Sequence, residues 1–176
     1  MGGISMNLEK GAYIVYRNAG VCQVVDIAEQ CVDGENTVLY CKIKPISDPS
    51  STYFIPMEKT AEKLRELLTR EEIMNLIDHM PLSETEHELW SDNRRERREM
   101  YSQIMNSDDH MAVLRLITSL YFRKRAAQAQ GRRFSAMDEN MMKNAESLML
   151  QEFGFVLEMT ESALRSFIDE RANYRQ

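Results

Sequence analysis

The chain's only tryptophan lies in the stretch LWSDNRRERREMY, residues 89–101, a few positions ahead of Arg94, Arg95, Arg97 and Arg98. An aromatic ring beside guanidinium groups has two chemical uses on nucleic acid. The guanidiniums neutralise phosphates and release counterions, and the ring can enter a base step as an apolar wedge. The plain alternative is a solvated helix face with a buried tryptophan next to it. On a helix beginning at Trp90, with about 100° per residue, Trp90, Arg94, Arg97, Arg98 and Tyr101 share a sector roughly 100° wide. Asp92, Glu96, Glu99 and Gln103 lie on another side, and Arg95 stands apart from both. Further basic residues follow at Arg123, Lys124, Arg125, Arg132 and Arg133. They join the same patch if the helices that carry them run as antiparallel neighbours.

Other reactive chemistry is sparse. Cys22, Cys31 and Cys41 are odd in number and never spaced as CxxC, which argues against a disulfide framework or zinc ribbon and fits a reducing compartment. His79 and His87 stand near glutamates without metal-ligand spacing. The polar cluster Glu84, Glu86, His87 and Glu88 is explained by a loop leading into a helix. No phosphate-cradling glycine loop and no nucleophile elbow occur. The expectation is a non-enzymatic binding protein with no cofactor, no metal and no small-molecule substrate. A metal-dependent hydrolase built on His79 and His87 is the remote alternative.

The formal net charge of -6 hides a segregation: residues 1–89 carry -7, residues 90–133 carry +5 and residues 134–176 carry -4. Counterion release depends on the contacting patch, so an acidic protein with one basic block can still meet phosphate. No apolar run approaches the ~18 residues of a membrane span. The first residues do not read as a secretory signal, and the expected location is cytoplasmic.

The elements that must position these residues fall into two sets. Residues 12–16, 21–27, 37–44 and 52–57 are rich in β-branched and aromatic side chains, with turn formers between them. Leu39, Cys41 and Ile43 alternate with Tyr40, Lys42 and Lys44, the period of a sheet with one face in a core. After Pro56 the pattern is helical. Thr69 and Glu72 have capping-box spacing ahead of a helix that closes before Pro81. Three more helices are predicted from Trp90 or Asp92 to Asn106, from Asp109 to Gln128, and from a cap at Ser135 and Asp138 to Phe153. Gly131 breaks the chain before the last of these, and Thr160 caps a fifth helix over 161–172. Residues 58–69 read as helix by propensity, although Leu64, Glu66 and Leu68 also alternate. The fold class is therefore α+β: a small twisted sheet over 1–69, then an all-helical domain of about five helices over 70–176.

The segments EKGAYIVYRNAGVCQVVDI, VLYCKI and TYFIP, with Gly11, Val15, Tyr16, Gly20, Val21, Ile27, Gly34, Tyr40 and Pro56, resemble the N-terminal module of the CarD family. These are bacterial transcription regulators that share the module with transcription-repair coupling factors. Downstream, LRELLTREEI, a tryptophan, a basic helix, MNSDDHMAVLRLITSLYFRKR and FSAMDENMMKNAESLMLQEF follow in an order similar to that family.

The resemblance implies a Tudor-like or SH3-like domain that docks on the RNA polymerase β subunit. It also implies a helical domain that touches promoter DNA at the upstream edge of the transcription bubble and modulates open-complex formation. On that basis Trp90 is the wedge, with Arg94, Arg95, Arg97 and Arg98 on phosphates and the later basic residues in support. It also suggests a final strand near Leu64–Leu68. Ala12 and Arg17 depart from the family's acidic residue and proline, and Asp108-Asp109 from its Gly-Asp. Gln30 and Phe54 replace the usual basic residues on the polymerase-facing strands, so Gln30, Val32 and Phe54 are the polymerase-binding candidates. The competing reading is a protein-interaction adaptor of the same architecture that never contacts DNA.

Overall fold

A computed structural model describes residues 8–17, 19–31, 36–83 and 89–174. The chain divides into two compact units, Met1–Leu68 and Thr69–Gln176.

The first unit is an antiparallel sheet of β1 (Tyr13–Tyr16), β2 (Gly20–Cys31), β3 (Thr37–Pro45), β4 (Tyr53–Pro56) and β5 (Leu64–Arg65), in the order β4-β3-β2-β1-β5. The β1–β2 turn is tight because Gly20 adopts φ +75°, a conformation that costs glycine nothing. Alternation along β3 buries Cys41 and Ile43 and leaves Lys42 between them half-exposed. They pack with Ile14, Tyr16, Cys22, Val24, Ile55 and Leu64 in one core. A bulge between Val24 and Asp26 interrupts the β2–β3 register, and bulges of this kind bend the strand and tighten its twist. Past Cys41, where pairing with β4 stops at Tyr40, β2 and β3 continue as a ribbon with little core beneath it, so Leu39 is exposed although it shares the parity of Cys41 and Ile43.

Residues 58–69 resolve the conflict between propensity and alternation by using both. A 3-10 turn (Met57–Lys59) runs into the single turn α1 (Thr60–Lys63), and the chain then extends as β5. Leu64 turns the balance: its side chain is buried in the sheet core, and its backbone pairs with Tyr16. Burial of a leucine outweighs the few tenths of a kcal/mol per residue that helix propensity offers here.

The second unit holds α2 (Arg70–His79), α3 (Arg94–Asn106), α4 (His110–Ala129), α5 (Ala136–Leu157) and α6 (Glu161–Tyr174). The capping box at α2 is present: the Thr69 backbone N–H donates to Glu72 (2.7 Å), and the Glu72 N–H donates to the Thr69 hydroxyl (3.2 Å). Asp109 accepts from the Ala112 N–H at 2.9 Å and Thr160 from the Ala163 N–H at 3.3 Å. α4 ends at Gly131, φ +66°. There the N–H groups of Gly131 and Arg132 return to the carbonyls of Gln128 and Ala127, the paired bonds that terminate helices at glycine.

Three expectations for these helices are corrected. α5 runs on to Leu157, a full turn past Phe153. α3 starts at Arg94, not at Trp90 or Asp92, because the Asn93 side chain accepts from the N–H groups of Arg95 and Glu96. At α5, Ser135 is the cap residue without a side-chain hydrogen bond. Asp138 caps nothing there and is spent on a buried contact described below.

Candidate nucleic-acid interface

Because α3 begins at Arg94, Trp90 sits in the loop that leads into it rather than on the helix. The common sector expected for Trp90, Arg94, Arg97, Arg98 and Tyr101 is therefore split. Arg97 and Tyr101 point into the unit, with Arg97 only 7% exposed, while Arg94 and Arg98 face solvent.

Arg97 is held by α5. Its Nε and Nη2 donate to the two carboxylate oxygens of Asp138 at 3.2 and 3.3 Å, and Asp138 is fully buried. Its Nη1 donates to the carbonyls of Ser91 and Asp92 at 2.8 and 3.1 Å. Four of the five guanidinium N–H groups are thereby committed. The Tyr101 hydroxyl adds a third donor to Asp138 at 2.9 Å. Burial, and then the Asp138 carboxylate, push the Tyr101 phenol well above its ordinary range. Arg97 thus leaves the set of side chains able to meet a phosphate. It staples the lead-in loop to the core.

That staple orients Trp90. The Arg97 guanidinium carbon lies 4.3 Å from the Trp90 ring centroid, and the Arg123 carbon, from the last third of α4, lies 4.2 Å away. Both distances are within cation–π range. The indole N–H donates to Asp92 at 3.1 Å. The ring is half-buried, packed with Leu89 and Phe134 against the cluster of Tyr101, Leu116, Leu120 and Met142. It is neither a core residue nor a free flag, but a fixed ring with part of its surface open.

The remaining basic candidates occupy the same end of the unit. Trp90–Arg123, Arg97–Asp138 and Lys124–Glu139 (3.0 Å) tie together the start of α3, the end of α4 and the start of α5. Lys124 and Lys143 hold the Glu139 carboxyl below its usual range, so Lys124 is partly neutralised. Arg95 pairs with Glu99 at 3.0 Å on an exposed face. Arg123 has a buried Nε without a hydrogen-bond partner among the described residues. Arg125 lies 5.8 Å from the Tyr121 ring, and Arg132 and Arg133 are exposed after Gly131. Asp138 was legible only as a cap, since its partners stand 41 and 37 residues away in sequence.

On the sheet unit, Gln30 pairs opposite Val38, and Phe54 opposite Lys42. Both lie on the face away from Cys41 and Ile43, and four residues along β3 separate them by about 13 Å at ~3.3 Å per residue. Phe54 is 45% exposed on the edge strand β4, with the Lys42 ammonium 5.6 Å from its ring. Val32, His87 and the Glu84–Glu88 cluster lie outside the described residues. His79 is exposed, its Nδ1 2.9 Å from the Asn75 carbonyl oxygen. Among the described residues no group of three or more His, Cys, Asp or Glu stands together as a metal site, and no helix is long and apolar enough to cross a membrane.

Residues 8–68 match the CarD-like/TRCF RID domain. The match spans the strand unit and stops where Thr69 begins to cap α2, so this unit is a domain of the RNA-polymerase-interacting type. The helical unit lies outside the match. No curated protein matches the chain.

Proposed function

We propose that the protein is a CarD-like transcription regulator with two contacts. The strand unit docks on the β subunit of RNA polymerase, and the helical unit touches promoter DNA at the upstream edge of the transcription bubble. The RID match supports the first contact. The observation that carries the second is Trp90 clasped by Arg97 and Arg123 where the basic ends of α3 and α4 meet.

A ring fixed in advance loses little freedom on binding, and its open part abuts the fork as a wedge does. Phosphates are neutralised by Arg94, Arg98, Arg123, Arg125, Arg132 and Arg133. Arg95 joins by exchanging its exposed partner Glu99 for phosphate, and Lys124 by exchanging its half-buried partner Glu139. Arg97 serves as the clamp. On the polymerase side, Phe54 and Gln30 share a sheet face beside the edge strand β4, a surface suited to strand addition or face docking. The protein then modulates promoter opening by binding one state of the polymerase–promoter complex better than the others. It would act in the cytoplasm, at the nucleoid, wherever polymerase carries it.

Two variants test this in a promoter-opening assay. Trp90→Ala should lose most of the effect on open-complex lifetime and still co-purify with polymerase. Arg94→Glu with Arg98→Glu should lower the slope of log affinity against log salt by about 1.8, at ~0.9 per phosphate contact. Wild-type behaviour of both variants, with no crosslink to the fork, would leave the protein an adaptor that never contacts DNA.

A further inference from the structure

We infer that α5 supplies the second wall of the nucleic-acid site: a groove in which Asn140 and Asn144 stand across from Arg94 and Arg98 takes the sugar–phosphate backbone of one DNA strand. The inference rests on the DNA reading above and assigns α5 a contact that basic residues alone do not reveal. The groove measures about 530 Å³, and its lining includes Arg94 and Arg98 from α3 and Asn140 and Asn144 from α5. Each pair is spaced i, i+4, so each presents two side chains on one helix face about 6 Å apart along the axis. Met137 and Met141 add apolar surface to the lining.

The lining of this groove is free of carboxylates, whereas much of the unit's positive charge is matched. Elsewhere in the unit, Arg95, Arg97, Arg165 and Arg171 are matched by Glu99, Asp138, Glu146 and Asp78, and Lys124 and Lys143 by Glu139. Arg94 and Arg98 have no such partner among the described residues, and no carboxylate lines the groove. Asn140 and Asn144 are exposed, and their carboxamides have no hydrogen-bond partner among the described residues. What remains is a double row of donors: two fixed cations and two amide NH2 groups, which suits an anion that repeats along a line.

Continuity with the Trp90 site selects a strand rather than an isolated anion. Arg97 and Asp138, which join α3 to α5 and hold the Trp90 loop, are close sequence neighbours of Arg94 and Arg98 on one helix and of Met137 and Asn140 on the other. A strand whose base step meets Trp90 therefore has this groove beside it. Arginines take the phosphates, and the amides donate to phosphate or sugar oxygens. Such contacts position the duplex and carry no sequence information.

The test is equilibrium binding of a labelled upstream fork-junction DNA to the protein assembled on RNA polymerase. Asn140→Asp with Asn144→Asp keeps side-chain shape at two exposed positions and places carboxylates opposite the arginines. Binding should weaken at least tenfold, and Asn140→Ala with Asn144→Ala should weaken it about threefold. Asn75→Asp with Ser162→Asp, which adds the same charge on α2 and α6, should leave it unchanged. In an Arg94→Ala, Arg98→Ala background the Asn→Asp effect should shrink, as expected of groups that share a partner. Wild-type affinity of the Asn variants overturns the groove and leaves the Trp90 contact standing. An equal loss in the charge control also overturns it, since bulk charge then suffices. A wild-type protein that contacts no DNA in the complex overturns this inference and the DNA reading together.

Discussion

Substituting Asp138 probes whether the clamp beneath Trp90 is structural. Asp138 is fully buried and accepts from Arg97 twice and from Tyr101 once. Asp138→Asn preserves its size but removes the carboxylate paired with Arg97, leaving a cation at 7% exposure without a carboxylate partner among the described residues. Breaking a buried pair from one side costs roughly 3–5 kcal/mol, a large part of the ~5–15 kcal/mol that stabilises a typical domain. For a unit of about 100 residues, ~4 °C per kcal/mol sets a minimum drop in Tm of about 12 °C. Trp90 is the only tryptophan and sits beside Arg97, so its fluorescence reports the helical unit alone. The strand unit, followed by far-UV circular dichroism, should keep its own transition. In the variant the Trp90 emission should also shift to the red before unfolding, since the loop carbonyls lose their staple. The double variant Arg97→Met, Asp138→Leu removes both charges and should recover at least half of the lost stability. A single Asp138→Asn variant within about 1 kcal/mol of wild type would refute the clamp, because a solvated pair costs no more than that.

The direction of the Tyr101 shift sets an alkaline limit. Its phenol is raised above the ordinary value of 10.0 by burial and by Asp138. The stabilisation is therefore complete below that value and is lost as pH rises above it, where the unfolded chain releases a proton that the folded chain retains. The helical unit should lose about 1.4 kcal/mol per pH unit above pH 10, and Tyr101→Phe should remove that slope in alkaline denaturation. Thiol labelling distinguishes the cysteines. Cys31 is exposed, whereas burial pushes the Cys22 thiol up to about 11 and raises Cys41 as well. Mass spectrometry of native protein at pH 8 should show one label per chain, and three after denaturation.

What was legible in the sequence follows the range of the interactions. Thr69 with Glu72, Asp109 with Ala112 and Thr160 with Ala163 each span three residues, so helix starts could be read from spacing. The alternation Leu39, Cys41, Ile43 marked one face of β3 for the same reason. Leu39 is the exception: parity places it on the core side, but the β2–β3 ribbon has outrun the core there. Asn93 decided the start of α3 over its neighbours by a contact only two or three residues long. Spacing alone offered Trp90 and Asp92 as equal rivals.

The sequence by itself determined the α+β class, the parity of the strands, most of the caps and the concentration of positive charge in residues 90–133. All of these depend on neighbours within one turn or one strand. Only the tertiary structure decided that Arg97 is a clamp while Arg98, one residue further on, lines a groove. The difference arises because Asp138, on α5 and 41 residues away, lies against one and not the other. A pattern repeating every 3.6 residues says which side chains share a helix face, but only the packing of α5 against α3 says which of them meets a carboxylate and which is left to water.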